Sequence, residues 1–485
     1  MNRYDTGHFP RTQTLSPGDR LLVSRFSYGI TPDLVADVSA AGGARAWWER
    51  QIAHAYDSPA AIANEVDWWP SLHRTPLEIY KRHVSRVEGA YEVMCDYGRR
   101  LMMRRMTTPR QLLEVMTEFW ENHFHVPGVI PQAFWRIDYG DVIRAGALGR
   151  FDDLLFDAVT HPAMLLFLNA ASSTDSHPNE NLGRELLELH TVGVGNYSED
   201  DVKSAARILT GWRVDMGDTW QPYYSSYDHW LGLVQVLGFK AANTLADGRT
   251  LTRSFLTYLA HHPDTAQRIA TKLALQFVSD TPSAALIATL ARSYLDNDTA
   301  IVPVLRDLIA SDEFKASAGR KIREPAADVV ATYRVLGAKI HPPKGEDSAA
   351  NAIYGQARAV GLAPIMWPRP DGEPVDTQSW SSPARVIESM RLHFACAAHN
   401  WPRTGVDYPP VSHWFPQGSM AFRDLVDHLS RVLHGRASDS RLLKACCTAT
   451  GIEAGEKVSP QHPIIKRGMG FLLVVFLDHP RHYER

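Results

Sequence analysis

Residues 179–197, NENLGRELLELHTVGVGNY, contain the pattern that decides the fold. At about 100° per residue, apolar side chains recur on one stripe, as in a half-buried helix. This stripe consists of Leu182, Leu186, Leu189 and Gly193. Residues 193–197 form a tight connection, after which Ser198 and Asp201 match a capping box that begins a second helix. Because small residues of this second helix face the first, the sequence predicts a close helical hairpin.

Helix signals continue in both directions from this hairpin. Thr31-Pro32, Thr75-Pro76 and Thr108-Pro109 each place a hydroxyl N-cap before a proline at the first helical position. The stretch from Pro76 to Pro109 predicts one long helix or two nearly collinear helices. Apolar residues at helical spacing predict further helices over 251–259, 266–278, 284–295 and 326–336. Only 231–237 (LGLVQVL) alternates like a strand, so we expect a mainly α, multi-helix globular protein.

Three long loops interrupt the helices, at 213–230, 363–383 and 400–418, and each is rich in aromatic residues and in proline or glycine. Loops of this length are usually functional or packed on their own side chains. Their tryptophans are Trp220, Trp230, Trp367, Trp380 and Trp414. These rings could line a groove for a glycan, peptide or protein partner, or they could pack against one another.

Length and composition limit the possible classes of protein. For the 485 residues we expect an N-terminal arm (1–16) and one large helical domain (17–485), with a smaller C-terminal part from about residue 400. The 51 basic and 54 acidic side chains give a net charge of −3, which does not favour nucleic-acid binding. The longest apolar run, 471–477, is too short to span a membrane. No secretory signal is visible, so we expect a soluble, cytoplasmic protein of undetermined oligomeric state.

The first candidate for chemistry is a helix predicted over 109–125. His123 falls on its apolar stripe near Trp120, and a buried imidazole serves either as a satisfied core residue or as a metal ligand or proton carrier. Three glutamates and His125 fall on the opposite stripe, at Glu114, Glu118 and Glu121. Arginines 99, 100, 104 and 105 scatter around the preceding helix, which predicts a solvated surface.

The second candidate is the helix at 179–190. Glu185 lies beside the apolar stripe and should be about half buried, where a carboxylate must be paired, metal-bound or protonated. Glu188 lies on the same flank and His190 on the other. Glu180 and Arg184 are expected to pair at i, i+4 on the outer side.

Together these residues predict a site between helices, with catalytic candidates His123, Glu185, Glu188, His190 and His229. His123, Glu185 and His190 are the candidate ligands of one divalent metal, Zn, Fe or Mn, because imidazole and carboxylate without thiolate suit these ions. The function indicated is a metal-assisted hydrolase or oxygenase. Two alternatives stay open: a salt-bridge and capping network that fixes helix register, and a non-catalytic binding or scaffold protein that uses the aromatic loops.

The same residues resemble a bacterial family, domain of unknown function 1800. The resemblance rests mainly on Asn179, Glu180, Asn181, Arg184, Glu185, Glu188 and His190, followed by Thr210-Gly211-Trp212. Trp120 with Asn122-His123, Lys272-Leu273 and Asp371-Gly372 are similar to other family segments. The resemblance implies a largely α fold and marks Asn179, Glu180, Asn181, Arg184 and Trp120 as structural-motif residues. It implies no activity.

One segment departs from the family pattern. The family usually shows His-Asp-x-Gly-x-Lys where this chain has His229-Trp230-Leu-Gly-Leu-Val234. Trp230 therefore replaces the acid and Val234 the lysine. If the acid and the lysine serve a reaction, the resemblance implies a lost activity or a different substrate for this chain.

Overall fold

The computed structural model describes residues 4–57, 66–416 and 418–485. The first part of the chain is helical, and Thr31 and Thr75 cap their helices as the sequence predicts. Its α-helices are α1 (Pro17–Arg25), α2 (Pro32–Ala41), α3 (Ala44–Ala53), α4 (Pro76–Val84), α5 (Ala90–Thr107), α6 (Gln111–His123), α7 (Arg136–Gly146), α8 (Phe151–Val159) and α9 (Pro162–Phe167). Short 3₁₀ turns occupy Pro70–His73, Gln132–Phe134 and Ala170–Ser172.

The middle part contains the predicted hairpin and two small antiparallel sheets, β1–β2 and β3–β4. Its elements are α10 (Glu180–Glu185), a π-helical turn (Leu186–His190), α11 (Glu199–Ile208), β1 (Trp212–Val214), β2 (Pro222–Tyr224), β3 (Val234–Val236), β4 (Phe239–Ala241), α12 (Arg249–Ala260), α13 (Pro263–Phe277), α14 (Ala284–Asp296), α15 (Ile301–Ala310) and α16 (Asp312–Lys315). The predicted strand region thus contains β3.

The last part again consists of helices, with the two-stranded pairs β5–β6 and β7–β8. Its elements are α17 (Pro325–Val335), β5 (Lys339–Ile340), α18 (Ala349–Val360), α19 (Pro383–Ala397), β6 (Val406–Asp407), α20 (Val411–Trp414), β7 (Met420–Ala421), α21 (Phe422–His434), α22 (Ser440–Thr450), β8 (Lys457–Val458), a π-helical turn (Ile464–Gly468), α23 (Met469–Leu477) and α24 (Pro480–Tyr483). The protein is mainly α, as predicted.

The N-terminal arm packs against the C-terminal part of the chain. Phe9 N donates to Asp427 Oδ2 at 2.8 Å, and Leu15 N donates to Gly435 O at 3.0 Å, so the arm follows α21. Buried apolar residues from Phe9 to Leu477 form one connected core. None of the helices in the described ranges is long and apolar enough to cross a membrane.

The helix predicted from Pro109 begins two residues later, at Gln111, and ends at His123. Thr108 terminates α5 in the extended conformation that a residue before proline adopts, and Arg110 is the N-cap of α6. The stretch from Pro76 to Pro109 contains two helices, α4 and α5, of which the second begins after Gly89.

The prediction of a solvated arginine surface on α5 is wrong. Arg100, Arg104 and Arg105 are at most 7% exposed. Arg105 Nη1 binds Glu118 Oε1 at 2.7 Å, and Arg100 and Arg104 share Asp141. The stripe of glutamates on α6, opposite its apolar stripe, is also largely buried, because arginines from other helices neutralise these glutamates. Pattern on one helix cannot show which partner helix brings the opposite charge.

The hairpin of α10 and α11 depends on Gly183. A Cβ at this position would lie 2.9 Å from both Ala206 N and Val202 O, which are backbone atoms of the facing helix. We expect Gly183→Ala to lower the free energy of unfolding by about 1–3 kcal/mol, since overpacking forces the two backbones apart. Chemical denaturation measures the change.

Gly355→Ala is the matched control for this substitution. Gly355 is exposed within α18, and a Cβ there would have no neighbour within 4 Å. Alanine should raise stability at this position by about 0.5–1 kcal/mol. Equal effects of the two substitutions would contradict the close approach at Gly183.

Candidate functional site

His123 and His190 are joined by reciprocal hydrogen bonds. His123 Nε2 donates to the backbone carbonyl of His190 at 3.2 Å, and His190 Nδ1 donates to that of His123 at 3.1 Å. Both side chains are buried, at 2% and 0% exposure. Two distant chain segments are therefore fixed against each other by their own imidazoles.

These bonds also fix the tautomers of both rings. Because a carbonyl oxygen only accepts, the bonded nitrogens carry the protons, and His123 Nδ1 and His190 Nε2 carry the lone pairs. Both lone-pair nitrogens are buried and have no hydrogen-bond partner among the residues that the structure describes. Burial, with a smaller effect of the nearby charge of Lys272, lowers the pKa of both rings, that of His190 to about 3. Both rings are thus neutral at pH 7.

The π-helical turn at Leu186–His190 explains why His190 lies deeper than a regular helix predicts. A π turn contains more residues than an α turn, so each later side chain is rotated around the axis. Leu187 and His190 are consequently fully buried, whereas Leu189, expected on the apolar stripe, is only partly buried. Such turns are frequent at functional sites.

Glu185 and Glu188 lie beside this turn, and both are half-buried. Glu188 accepts a short hydrogen bond from the Tyr197 hydroxyl. Among the described residues, Glu185 has no cation within 4 Å of its carboxylate. Burial, followed by the negative charges of Glu188 and Asp371, raises the pKa of Glu185.

Lys272, on α13, is a functional candidate that sequence reasoning did not select. Its side chain is half-buried, and burial, followed by the like charge of Arg268, lowers its pKa to about 7. Asp371 acts in the opposite direction. Arg268 is held by a 3.0 Å bond from its Nε to Leu189 O. The signal in the sequence was the position of Lys272 beside the buried residues Ile269 and Leu273.

The loop at 363–383 brings Asp371 to the same place. Asn122 Nδ2 donates to Glu373 O at 2.9 Å, and Glu373 N donates to Asn122 Oδ1 at 2.6 Å. Gly372, the residue before Glu373, has a φ of +78°, and a Cβ at this position would lie 2.3 Å from Asn122 O. A glycine is therefore required for the loop to close on the end of α6. His125 adds a 2.7 Å bond from Nε2 to Trp367 O.

We call His123, Glu185, Glu188, His190, Lys272 and Asp371 the central cluster. It joins α6, α10 with the π turn that follows it, α13 and the loop at 363–383. Among described residues, His123, Glu185 and His190 do not bring one donor atom each within 4.8 Å of one another. The cluster is therefore a set of electrostatically coupled groups with two free imidazole lone pairs.

His229 lies in a different environment. Its side chain is buried, with Nδ1 3.0 Å from Thr210 O and Nε2 2.9 Å from Asn243 Oδ1. Neither partner belongs to the central cluster. Trp230 and Val234, which replace the acid and the lysine of the family pattern, lie near His229 in the sequence and pack against the protein. Val234 is fully buried in β3, and the Arg207 guanidinium lies 4.7 Å from the Trp230 ring.

The remaining motif residues make structural contacts. Asn179 caps α10 by accepting from Asn181 N at 2.8 Å, and Trp120 Nε1 donates to Ala147 O at 2.9 Å. Glu180 is exposed in the first turn. Its expected pairing with Arg184 does not form, because Arg184 binds Glu199 of α11 at 2.7 and 2.8 Å. The neighbouring helix offers a bidentate partner that the local pattern does not reveal.

The loop tryptophans contact the protein itself. Trp220 and Trp414 are buried, at 5% and 2% exposure. Trp367 Nε1 donates to Asp371 Oδ1 at 2.9 Å, and Trp380 Nε1 donates to Pro374 O at 2.6 Å. With Trp230 beneath Arg207, all five indoles have partners within the chain.

Comparison with known proteins adds a family and no activity. Neither a curated protein nor a solved structure matches the chain. The family described as "Protein of unknown function (DUF1800)" matches residues 21–482, which include every element of the central cluster. Because this match covers nearly the whole sequence, the chain belongs to that family.

Proposed function

We propose that the protein is an enzyme whose reaction takes place at the central cluster, with Lys272 as a general base. The observation that carries the proposal is the lysine itself, half-buried beside Arg268 with a pKa of about 7. At this pKa about half of the amines are neutral at pH 7, whereas an ordinary lysine is less than about 0.1% neutral. A neutral amine can accept a proton, and a base is most effective when its pKa lies near the working pH.

The neighbours of Lys272 support this role. Glu185 has an unpaired carboxylate among the described residues, so it is available to accept a hydrogen bond from a water molecule or a substrate. Shifted pKa values of opposite kinds, lowered for Lys272 and raised for Glu185, are typical of catalytic sites. The reaction class most consistent with a base beside a hydrogen-bond acceptor is hydrolysis by an activated water molecule.

Chemical modification tests the premise without a known substrate. The folded protein is treated with limiting acetic anhydride between pH 6 and 10, and the acetylation of each lysine is followed by mass spectrometry. The rate at Lys272 should level off above about pH 7–8, because the amine is then fully neutral. Lys315, which is exposed beside Asp312, is the internal control. Its acetylation rate should continue to rise with pH up to about pH 10, because its amine has an ordinary environment. A rate at Lys272 that also rises to pH 10 would exclude the proposed base.

A second candidate function is a metal-assisted reaction, of hydrolase or oxygenase type, with Zn, Fe or Mn on His123, Glu185 and His190. The two fixed, unpartnered imidazole lone pairs favour it, because metal ligation requires neutral histidines. A metal here needs a movement of Glu185 or a solvent ligand. Elemental analysis of the parent, His123→Ala and Glu185→Gln proteins tests it: the loss of one equivalent of metal per chain, relative to the parent, in both folded variants would support this candidate.

A further inference from the structure

Asp328, His393 and His482 meet in the interior, far from one another in the sequence. They belong to α17, α19 and α24, and their exposures are 0%, 0% and 2%. One donor atom from each lies within 4.8 Å of the other two, and no other set of three metal-binding side chains in the described ranges meets this condition. We call these three residues the buried triad.

The distances in the buried triad are too long for hydrogen bonds and close to those between metal ligands. Asp328 Oδ1 lies 3.5 Å from His393 Nε2 and 3.6 Å from His482 Nε2. Asp328 Oδ1 is buried and accepts no hydrogen bond from any part of the chain within 4–57, 66–416 and 418–485. Two ligands at about 2.0–2.1 Å from a tetrahedral zinc ion are about 3.3–3.4 Å apart. The donor atoms of His393 and His482 lie within 4.8 Å of each other, so a contraction of the three side chains would place one ion between them.

The other polar atoms of the Asp328 and His393 side chains are already engaged. Asp328 Oδ2 accepts from the Ser389 hydroxyl and lies 3.4 Å from Arg385 Nη2, so Oδ1 alone remains open. His393 Nδ1 donates to Asp478 Oδ1 at 2.8 Å, which turns Nε2 toward the triad, where it also lies 3.4 Å from the Ser389 hydroxyl. A carboxylate behind a histidine is the usual support for a metal-binding imidazole.

The hydroxyl of Thr332 lies next to His482. Thr332 Oγ1 donates to Asp328 O at 2.9 Å, so its lone pairs face His482 Nε2, 3.2 Å away. In the absence of an ion, His482 Nε2–H can donate to this oxygen.

We propose that Asp328, His393 and His482 bind one divalent transition-metal ion, best matched by Zn²⁺. Two imidazoles and one carboxylate suit zinc, and full burial indicates a structural ion, not one that contacts substrate. The ion joins α24 to α17 and α19, and so fixes the C-terminal end of the chain. Backbone bonds from Arg323 N to Tyr483 O and from Arg485 N to Lys321 O hold the same end. The site is complete only after α24 has docked.

The competing explanation is a buried charge network without metal. His393 lies between Asp328 and Asp478, whose charges raise its pKa despite burial. A protonated His393 would neutralise these carboxylates in place of an ion. Metal binding would then have to displace this proton, so the two explanations differ in whether the protein binds an ion at all.

Binding of Co²⁺ and Zn²⁺ to the full-length, chelator-treated protein decides between a metal site and a charge network without metal. We expect one ion per chain by calorimetry, a visible Co²⁺ spectrum of a site with nitrogen and oxygen ligands, and a higher Tm with Zn²⁺. Asp328→Asn and His482→Gln should abolish this binding. Asp478→Asn should keep the stoichiometry and weaken the affinity about 10–100-fold, since it only orients His393.

His434→Gln is the matched control. His434 is a buried histidine bound to Phe476 O outside the triad, so this variant should bind the ion like the parent. The proposal is overturned if the parent binds no stoichiometric ion, or if the triad variants bind as well as the parent. Should those variants fail to fold, the parent spectrum and the affinity of Asp478→Asn decide the question.

Discussion

Lys272→Met is expected to lower kcat/KM by about 10²–10⁴-fold on any substrate that the protein turns over, because it removes the general base. Methionine has nearly the same length and is apolar, so the half-buried position should tolerate it. In the parent, kcat/KM should rise with pH up to about 7 and then level off, since the lowered pKa leaves the amine neutral above that value. The variant should lack this dependence.

Stability provides a second readout of the same residue. Because the pKa of Lys272 is lowered in the folded state, the unfolded state binds its proton more tightly. Burial of the charged lysine therefore lowers the free energy of unfolding by the full amount below about pH 7, and this loss decreases as the pH rises toward the ordinary pKa of lysine. The parent should therefore gain stability relative to Lys272→Met between about pH 7 and 10. Lys315→Met, at an exposed site, is the control and should change neither profile. Unchanged turnover in Lys272→Met would refute the proposed function and leave the buried triad unaffected.

Arg136→Met is expected to lower the free energy of unfolding by about 3–5 kcal/mol, because it leaves a buried carboxylate without its cation. Arg136 is 0% exposed, and its Nη2 binds Glu121 Oε1 at 3.0 Å. The Tyr97 hydroxyl, 3.1 Å from the same oxygen, would remain as the partner of Glu121. Arg136 Nε also donates to Val126 O at 2.8 Å, directly after the segment that contains His123.

The same substitution at the surface provides the comparison. Arg391 is 72% exposed and pairs with Glu388, so Arg391→Met should cost at most about 1 kcal/mol. Adding Glu121→Gln to Arg136→Met should recover part of the loss, because it removes the unpaired charge. Denaturant titrations of the four proteins measure these differences. Equal costs at Arg136 and Arg391 would show that Glu121 does not depend on its buried partner.

Local signals predicted the helices where the deciding interactions lie within one turn. Thr31, Thr75 and Ser198 cap the helices that the sequence assigns to them, and Glu185 has the half-buried position expected from its place on the wheel. The hairpin of α10 and α11 follows from small residues whose effect is steric and local. The family assignment has the same origin, since it rests on segments that are continuous in sequence.

The tertiary structure alone decided which polar groups meet. The π turn that carries His190 inward, the approach of Lys272 from α13 and the closure of Gly372 on Asn122 all depend on packing between separate segments. Burial, together with neighbouring charges, then sets the pKa of Lys272 and of Glu185, and periodicity on one helix contains neither quantity.

The buried triad shows this limit most clearly. Asp328, His393 and His482 lie on three helices, and nothing in the local pattern of any one of them distinguishes a ligand from a core residue. The sequence by itself determined a mainly α protein with helices at nearly the right places, because capping and apolar periodicity act over a few residues. Only the tertiary structure determined where charges and lone pairs converge, because that convergence depends on the relative positions of elements far apart in the chain.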